Sequence, residues 1–556
     1  MRCPSLLAAL AAVACASPVA AQALPDSLLR RVDSVFADYD RTDQPGCVLG
    51  VYRDQRMAYA RGYGMANLEL GIALSPQSFL DIGSTSKQFA AYAIGLLEQD
   101  GKLRRTDPVR TYLPELGTYA EAITVEQMLQ HTSGLRDYLV LMSLAGYRTE
   151  DWTDARDALG LIARQREANF APDSEWLYSN TGYFLLAEIV QRVSGKSLRA
   201  FAAERIFGPL GMRGSHFHDD HAMVVPGRAT GYSPKDEGGF GIDMSDFEQT
   251  GDGAVLTSVE ELLRWDANFY TGQVGGMDLV RRQQQPGALA DGKPIEYASG
   301  LFISKYRGQP TVSHGGAWAG YRAELLRFPD QRTSFAVLCN RGDANPTRRA
   351  ERVADVVLAA VLEPARAADA RPGAAAATPV SLPRESLSQR AGIWKGRATG
   401  EVRVIELAGD GLVLKMGRDL PLVPLSVDRF SILESYSIRF ETENGKPVLV
   451  PEQDVLGKDR FDLVPAFRPG VAELAAFAGN YYAPELDVTW RITADSAGLR
   501  AELRGRELAK LRPTYQDHFS SQQGSSLAFH RGKGGRVTGF SVQAGRVRNI
   551  VFTRVP

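Results

Sequence analysis

Two hydrophobic periods alternate along roughly the first two thirds of the chain, and only the shorter one continues to the end. In "CVLGVYRDQRMAYARGYG", starting at Cys47, two strand-like runs flank Asp54-Gln55 and predict a β-hairpin that turns there. "TGYFLLAEIVQRVSG", starting at Thr181, spaces its apolar residues as a helix does and stops at Ser194-Gly195. Thr124-Val-Glu-Gln127 and Ser258-Val-Glu-Glu261 are capping boxes that open amphipathic helices. "YRAELLRFPDQRTSFAVLCNRG", starting at Tyr321, reads strand, turn, strand. Strands at both ends with helices between them predict an α/β (α+β) unit over 22–365, its antiparallel sheet built from both termini and flanked by helices.

"EPARAADARPGAAAATPVSLPRE" then breaks the pattern, rich in Ala and Pro and poor in large apolar residues, and reads as a linker over 366–383. Beyond it only strand-like alternation remains, and it repeats. Ala391-Gly392 recurs as Ala478-Gly479 and Gly411-Leu412 as Gly498-Leu499, each 87 residues on (391 to 478, 411 to 498). Arg418-Asp419-Leu420 returns as Arg506-Glu507-Leu508, and Asp428-x-Phe430 as Asp517-x-Phe519. The expectation is two small antiparallel β-barrels, over 384–470 and 471–556.

Composition narrows the partners. The 556 residues, 44% hydrophobic and 23% charged, are ordinary for a multidomain globular protein. A formal net charge of −1 makes no case for nucleic acid or an anionic membrane surface. No apolar run of about 18 residues follows the N-terminus, so no integral span is expected. The start itself has a charge at Arg2, an apolar stretch from Leu6 to Val13 and small residues before Gln22. That predicts a signal peptide over 1–21 and a periplasmic or secreted protein, at most loosely associated with the cell envelope. Ala12-Val13-Ala14-Cys15 lacks the usual leucine of a lipoprotein signal, so lipid anchoring ranks lower. Cleavage leaves Cys47 and Cys339, which read as two buried thiols, with a disulfide the alternative that an oxidising compartment allows.

Three short stretches carry chemistry. In "DIGSTSKQF", Ser84 and Lys87 stand three apart at a helix start and share one face; the helix N-terminus favours negative charge developing near the serine. In "WLYSNTGYF", Tyr178 and Asn180 precede a helix; a neighbouring ammonium would lower the Tyr178 pKa and let it take the Ser84 proton, with Asn180 orienting Lys87 and a substrate amide. In "SHGGAWAGY", His314 precedes Gly315, Gly316 and Ala317 on an expected edge strand, where the glycines would let a substrate backbone lie close. A backbone N–H beyond His314 would complete an oxyanion hole with that of Ser84. Each stretch alone has a structural reading: a surface helix start, a buried tyrosine, a satisfied histidine.

Their order and spacing resemble the serine β-lactamase and penicillin-binding-protein superfamily, in its class C-like branch, which also holds DD-carboxypeptidases, D-aminopeptidases and esterases. "LQHTSGL" at 129–135, "PLGM" at 209–212 and "GDGAVLTSVEEL" at 251–262 are similar too, and the resemblance covers about residues 25–365. The two barrels resemble those of three-domain D-aminopeptidases. The resemblance implies that Ser84 is acylated and water then releases the product. It implies that Lys87 and Tyr178 share the base and proton-shuttle role, which of them holds the proton being open. Asn180, His314 and Gly316 would position, His314 also supporting the tyrosine and lining the substrate strand, and the backbones of Ser84 and Ala317 would form the oxyanion hole. It implies no metal and no cofactor, and a small-molecule or short-peptide substrate. It also implies that the Cys47 and Cys339 strands are sheet neighbours.

Most true β-lactamases carry lysine at the His314 position, and histidine, with a pKa of ~6.5, is mostly neutral at pH 7. The expected activity is therefore hydrolysis of D-amino-acid peptides or amides. A carboxylesterase with the same site, a weak β-lactamase, and a non-turning-over binder of penicillin or cell-wall fragments are the alternatives; the intact Ser84, Lys87 and Tyr178 set speaks against the last. "GSHFHDDHAMVV" packs His216, His218, Asp219, Asp220 and His221 together, but reads as a loop rather than a metal site. "FHRGKGGRVTGFSVQAGRVRN" reads as a solvated hairpin rather than a nucleic-acid surface. Gly-x-Ser-x-Gly is absent around Ser84, which removes the usual α/β-hydrolase signal.

Overall fold

The computed structural model describes residues 24–364, 380–416, 418–432, 436–452, 459–521 and 524–556. The expected signal peptide at 1–21, with Cys15, and most of the expected linker at 366–383 lie outside the described residues.

A six-stranded antiparallel sheet runs in the order Phe302–Tyr306, Gln309–Trp318, Tyr321–Phe328, Thr333–Cys339, Cys47–Arg53, Arg56–Tyr63. The two ends of this region thus meet inside one sheet. The hairpin turns at Asp54 and Gln55, with φ of 50° and 64°, the mirror-image turn that matches strand twist. The Cys47 and Thr333 strands are buried along nearly their whole length because helices cover both faces. Alternate side chains go to opposite layers. Val48, Tyr52, Ala336 and Leu338 join the core that holds the Val259–Thr271 helix, whereas Leu49, Val51, Phe335 and Val337 join the one under the Asp26–Ser34 and Pro346–Val357 helices.

Cys47 stands directly opposite Cys339 in this ladder. The two form a disulfide, which corrects the reading of two free thiols. Facing positions of one antiparallel pair bring the sulfurs within bonding reach, although 292 residues separate them.

Local signals hold where local groups satisfy them. Thr124 and Gln127 form a complete capping box, and Gly195 takes the left-handed cap after the Asn180–Ser194 helix. The Ser258 box forms only by half. Its hydroxyl accepts from the Glu261 N–H, but the Glu261 carboxylate turns away to accept from the N–H groups of Gly214 and Ser215.

The C-terminal part is two closed antiparallel barrels of eight strands, from Gly392 to Val464 and from Gly479 to Val555. Repeat positions fill equivalent places: Leu387 and Leu474 on the short helix before each barrel, Trp394 and Tyr481 on the first strand, and Phe430 and Phe519 are all buried. The first barrel has its own core. The second shares a continuous core with the helical unit. Trp490 donates to the Leu144 carbonyl at 3.1 Å, and Arg136 pairs with Glu485 at 2.6 Å in a buried contact. The basic stretch read as a solvated hairpin is solvated only in part. Its second tip docks: Arg136 donates to the carbonyls of Arg548 and Asn549, and Arg548 pairs with Glu175 at 3.1 Å. No helix among the described residues is long and apolar enough to cross a membrane.

Candidate active site

Ser84 lies in a short 3₁₀ turn, Gly83–Ser86, that runs directly into the Lys87–Gln99 helix. Between Leu80 and Leu97 every residue is buried except Ser84. The turn is held by the Asp81 carboxylate, which accepts the Gly83 N–H at 2.7 Å, and by Thr85, whose hydroxyl donates to the His314 carbonyl at 3.0 Å. The chain reaches the strand so closely that only glycine fits. A Cβ on Gly316 would lie 1.9 Å from the Ile82 carbonyl oxygen, and one on Gly83, where φ is 49°, would lie 2.6 Å from the Ala317 nitrogen.

Those contacts revise the reading of "SHGGAWAGY". The backbone that presses on Gly316 is the chain's own nucleophile turn. The strand is also no simple edge: residues 309–313 pair with Phe302–Tyr306, and only the stretch from His314 onward leaves room for the Ser84 turn. Gly316→Ala is expected to displace Ile82, cost about 1–3 kcal/mol of stability by overpacking, and lower kcat/KM about tenfold or more. Gly315→Ala, whose Cβ would meet a Glu324 carboxylate oxygen at 3.1 Å, should lose much less in the same assay.

Lys87 is fully buried. Its amine donates to Ser84 Oγ at 3.0 Å, Asn180 Oδ1 at 2.8 Å and the Asp252 carbonyl at 2.5 Å. As an ammonium it has one proton for each acceptor; as an amine it offers a lone pair to the Ser84 hydroxyl. Burial pulls Lys87 down to about 7, the Asp252 and Asp137 charges oppose this, and Arg546 adds to it. Asn180 opens its helix, with its N–H fixed on Asp137 Oδ2 at 2.9 Å.

Tyr178 presents its ring to this amine, the Lys87 nitrogen lying 4.8 Å from the ring centroid, with the His131 ring 4.2 Å away. Its hydroxyl is buried with no hydrogen-bond partner among the described residues. Burial pushes the phenol well above its ordinary range, and the Arg546 charge only partly offsets this. The expectation of a lowered Tyr178 pKa is thus reversed, because desolvation outweighs the nearby positive charge.

His314 is buried too. Its Nδ1 lies 2.6 Å from the Gly315 carbonyl and its Nε2 3.0 Å from the Tyr297 hydroxyl. A carbonyl only accepts, which assigns the proton to Nδ1 and makes Nε2 the acceptor. Burial first, then the Lys87 charge, pulls His314 down to about 3, so it stays neutral. It does not hydrogen-bond Tyr178, whose ring is 6.2 Å away; Tyr297 packs edge-on against both rings.

The structure also brings in residues to which sequence reasoning had given no role. His131 and Asp252 sit inside "LQHTSGL" and "GDGAVLTSVEEL", so a signal existed. The His131 Nδ1 accepts the Ser179 N–H at 3.2 Å, and the Asp252 carboxylate, raised above its ordinary range by burial, accepts from the Tyr138 hydroxyl at 3.2 Å. Tyr297 and Arg546 had no local signal. Ser84, Asn180, Asp252, Arg228, Ala317 and Trp318 line one cleft.

This arrangement matches a known family. The Beta-lactamase family description fits residues 32–360, more than half of the chain. The chain belongs to the beta-lactamase family. It is similar to the D-aminopeptidase of Cereibacter sphaeroides, 28% identical over 532 residues that cover 92% of this chain and 96% of that protein. It is also similar to the D-aminopeptidase of Brucella ovis, 26% identical over 528 residues, with the same coverage. In fold it is similar to the octameric penicillin-binding protein homologue from Pyrococcus abyssi, with a TM-score of 0.55, 23% identity, and 78% of this chain and 99% of that one covered. As a beta-lactamase family member with these relatives, the protein is a serine hydrolase.

The histidine-rich stretch of this family member, expected to be a loop, begins as a short strand at His216–Phe217 paired with Val255–Leu256 and is irregular only after it. His216 and His218 face each other at 3.3 Å, the other His218 nitrogen meets Arg228, and Asp219 pairs with Arg199. Among the described residues, only Asp220, His221 and Glu248 bring three ligand-type atoms within 4.8 Å, and Glu248 lies outside the stretch.

Proposed function

We propose that this protein is an exported serine hydrolase that forms an acyl-enzyme on Ser84 and cleaves amide bonds of D-amino-acid peptides or amides. The observation that carries the reading is the buried Lys87 amine, 3.0 Å from Ser84 Oγ and drawn down to about 7. Near neutral pH a large share of this amine is unprotonated. It takes the Ser84 proton as Oγ bonds to the substrate carbonyl carbon. The developing oxyanion is received by the N–H groups of Ser84 and Ala317, a pairing supported by the close approach of Gly83 to the Ala317 backbone. The C–N bond then breaks, the amine leaves with a proton from the Tyr178 hydroxyl, and that phenol is restored from the Lys87 ammonium. Water, deprotonated in the same way, attacks the acyl carbon and frees Ser84.

Preference for D-residues is supported by similarity to D-aminopeptidases along nearly the whole chain, barrels included. Export is supported by the Cys47–Cys339 disulfide, which suits an oxidising compartment. The test compares D-alanyl amides and peptides with their L counterparts, a short p-nitrophenyl ester and a chromogenic cephalosporin, and weighs the intact protein for an acyl adduct. The D-amides should turn over at least about tenfold faster than the L-amides. Turnover of the ester alone would replace this reading with an esterase, and a stable cephalosporin adduct without turnover of any substrate would replace it with a binder.

A further inference from the structure

We propose that Arg546, delivered by the second barrel, determines specificity by binding a free carboxylate on the leaving group of the substrate. The proposal rests on the acyl-enzyme reading of Ser84.

Arg546 sits at the turn between the Val537–Ala544 and Val547–Val555 strands, more than 450 residues after Ser84. The backbone of this turn is pinned to the helical unit. The Arg546 carbonyl accepts from the Asp137 N–H at 3.3 Å and the Asn169 side-chain amide at 2.9 Å, and the Arg548 N–H donates to Asn169 Oδ1 at 2.8 Å. The guanidinium is therefore aimed. It lies 5.5 Å from the Tyr178 ring centroid, and one nitrogen is 3.2 Å from Asp137 Oδ2.

That ion pair leaves the arginine only partly used. The Asp137 carboxylate already accepts the N–H groups of Leu139, Val140 and Asn180, while the Arg546 side chain remains 36% exposed. The buried Arg136–Glu485 pair, with side chains 1% and 6% exposed, shows what a purely structural arginine looks like at this same interface. A planar guanidinium with open N–H groups is the natural bidentate partner of a carboxylate.

Of the other cations near Ser84, Lys87 has three acceptors and His314 is neutral and tied to Tyr297. Arg228 lines the cleft, donates to His218 and leaves its Nε without a partner among the described residues, but it is Arg546 that packs on the Tyr178 ring. Arg546 stands beyond Tyr178, the group proposed to hand a proton to the leaving amine. A carboxylate held there belongs to the departing residue. The favoured substrate class is a D-acyl peptide ending in a free carboxylate.

The experiment measures kcat/KM for N-acetyl-D-alanyl-D-alanine and for its C-terminal amide, which share the acyl group and differ in the carboxylate. The wild type should favour the acid at least about tenfold. Arg546→Gln should reduce that ratio roughly 10- to 100-fold, as expected for a lost hydrogen bond to a charged group. Arg546→Lys should restore part of it, and Arg546→Glu should push the ratio below one. Circular dichroism and thermal melting show whether each variant keeps the barrel docked. An unchanged ratio in folded Arg546→Gln, or a wild type that favours the amide, overturns the proposal. If the wild type cleaves neither compound but turns over free D-alanyl amides, the carboxylate-ended acyl-peptide class is overturned while the D-amide reading stands; if it turns over none of these, the D-amide reading fails on its own. Phenyl acetate against 3-carboxyphenyl acetate then asks the same question of Arg546 through an ester leaving group, with the same ratio change expected and an unchanged ratio again overturning it.

Discussion

Ser84→Ala is expected to lower turnover on the best substrate at least about 10³-fold, as removal of an activated nucleophile does, and to abolish the acyl adduct in the mass spectrum. The fold should survive. The Ser84 hydroxyl is the only side-chain group not buried in its stretch, and its hydrogen bond is to an amine that keeps Asn180 and Asp252 as partners. A thermal midpoint close to that of the wild type, together with lost turnover, is the predicted pair of results. Wild-type turnover in purified Ser84→Ala would remove the covalent mechanism altogether.

Lys87→Ala is expected to be nearly as damaging, again about 10³-fold or more, and to change the shape of the pH profile. Lys87 must be unprotonated to accept the serine proton. With burial drawing it down to about 7, wild-type kcat/KM should rise with pH through that region and level off above it. Residual activity in Lys87→Ala should lack this rise. Tyr178→Phe separates the two candidates for the base. Its phenol is held protonated by burial, so the variant should lose about 10²-fold, within the range for one general acid–base group, yet keep the rise where the wild type has it. A profile that loses its rise in Tyr178→Phe and keeps it in Lys87→Ala would exchange the two roles.

The parts of the site legible in sequence are those made by short segments. Ser84 and Lys87 share a helix face because three residues nearly complete a turn. Tyr178 and Asn180 stand on either side of one helix start, and the 87-residue repeat announced two barrels because each copy folds by pairing its own neighbours. What sequence reasoning misjudged depended on burial. Proximity of Tyr178 to an ammonium argued for a lowered pKa, but only packing shows that both lie out of water, where desolvation dominates. Gly316 stands out in the sequence as a place where another backbone can come close, and the group that the fold brings against it is the Ile82 carbonyl, 234 residues earlier in the chain (82 to 316).

By itself, the sequence determined the helical unit with its two-ended sheet, the two barrels, the three chemical stretches and their family resemblance, because local periodicity and motif spacing encode these. Only the tertiary structure decided that Cys47 and Cys339 join, that His314 is neutral and answers to Tyr297, and that a barrel arginine stands over the Tyr178 ring. Each of these outcomes depends on which groups meet across hundreds of residues and on how much water is excluded when they do.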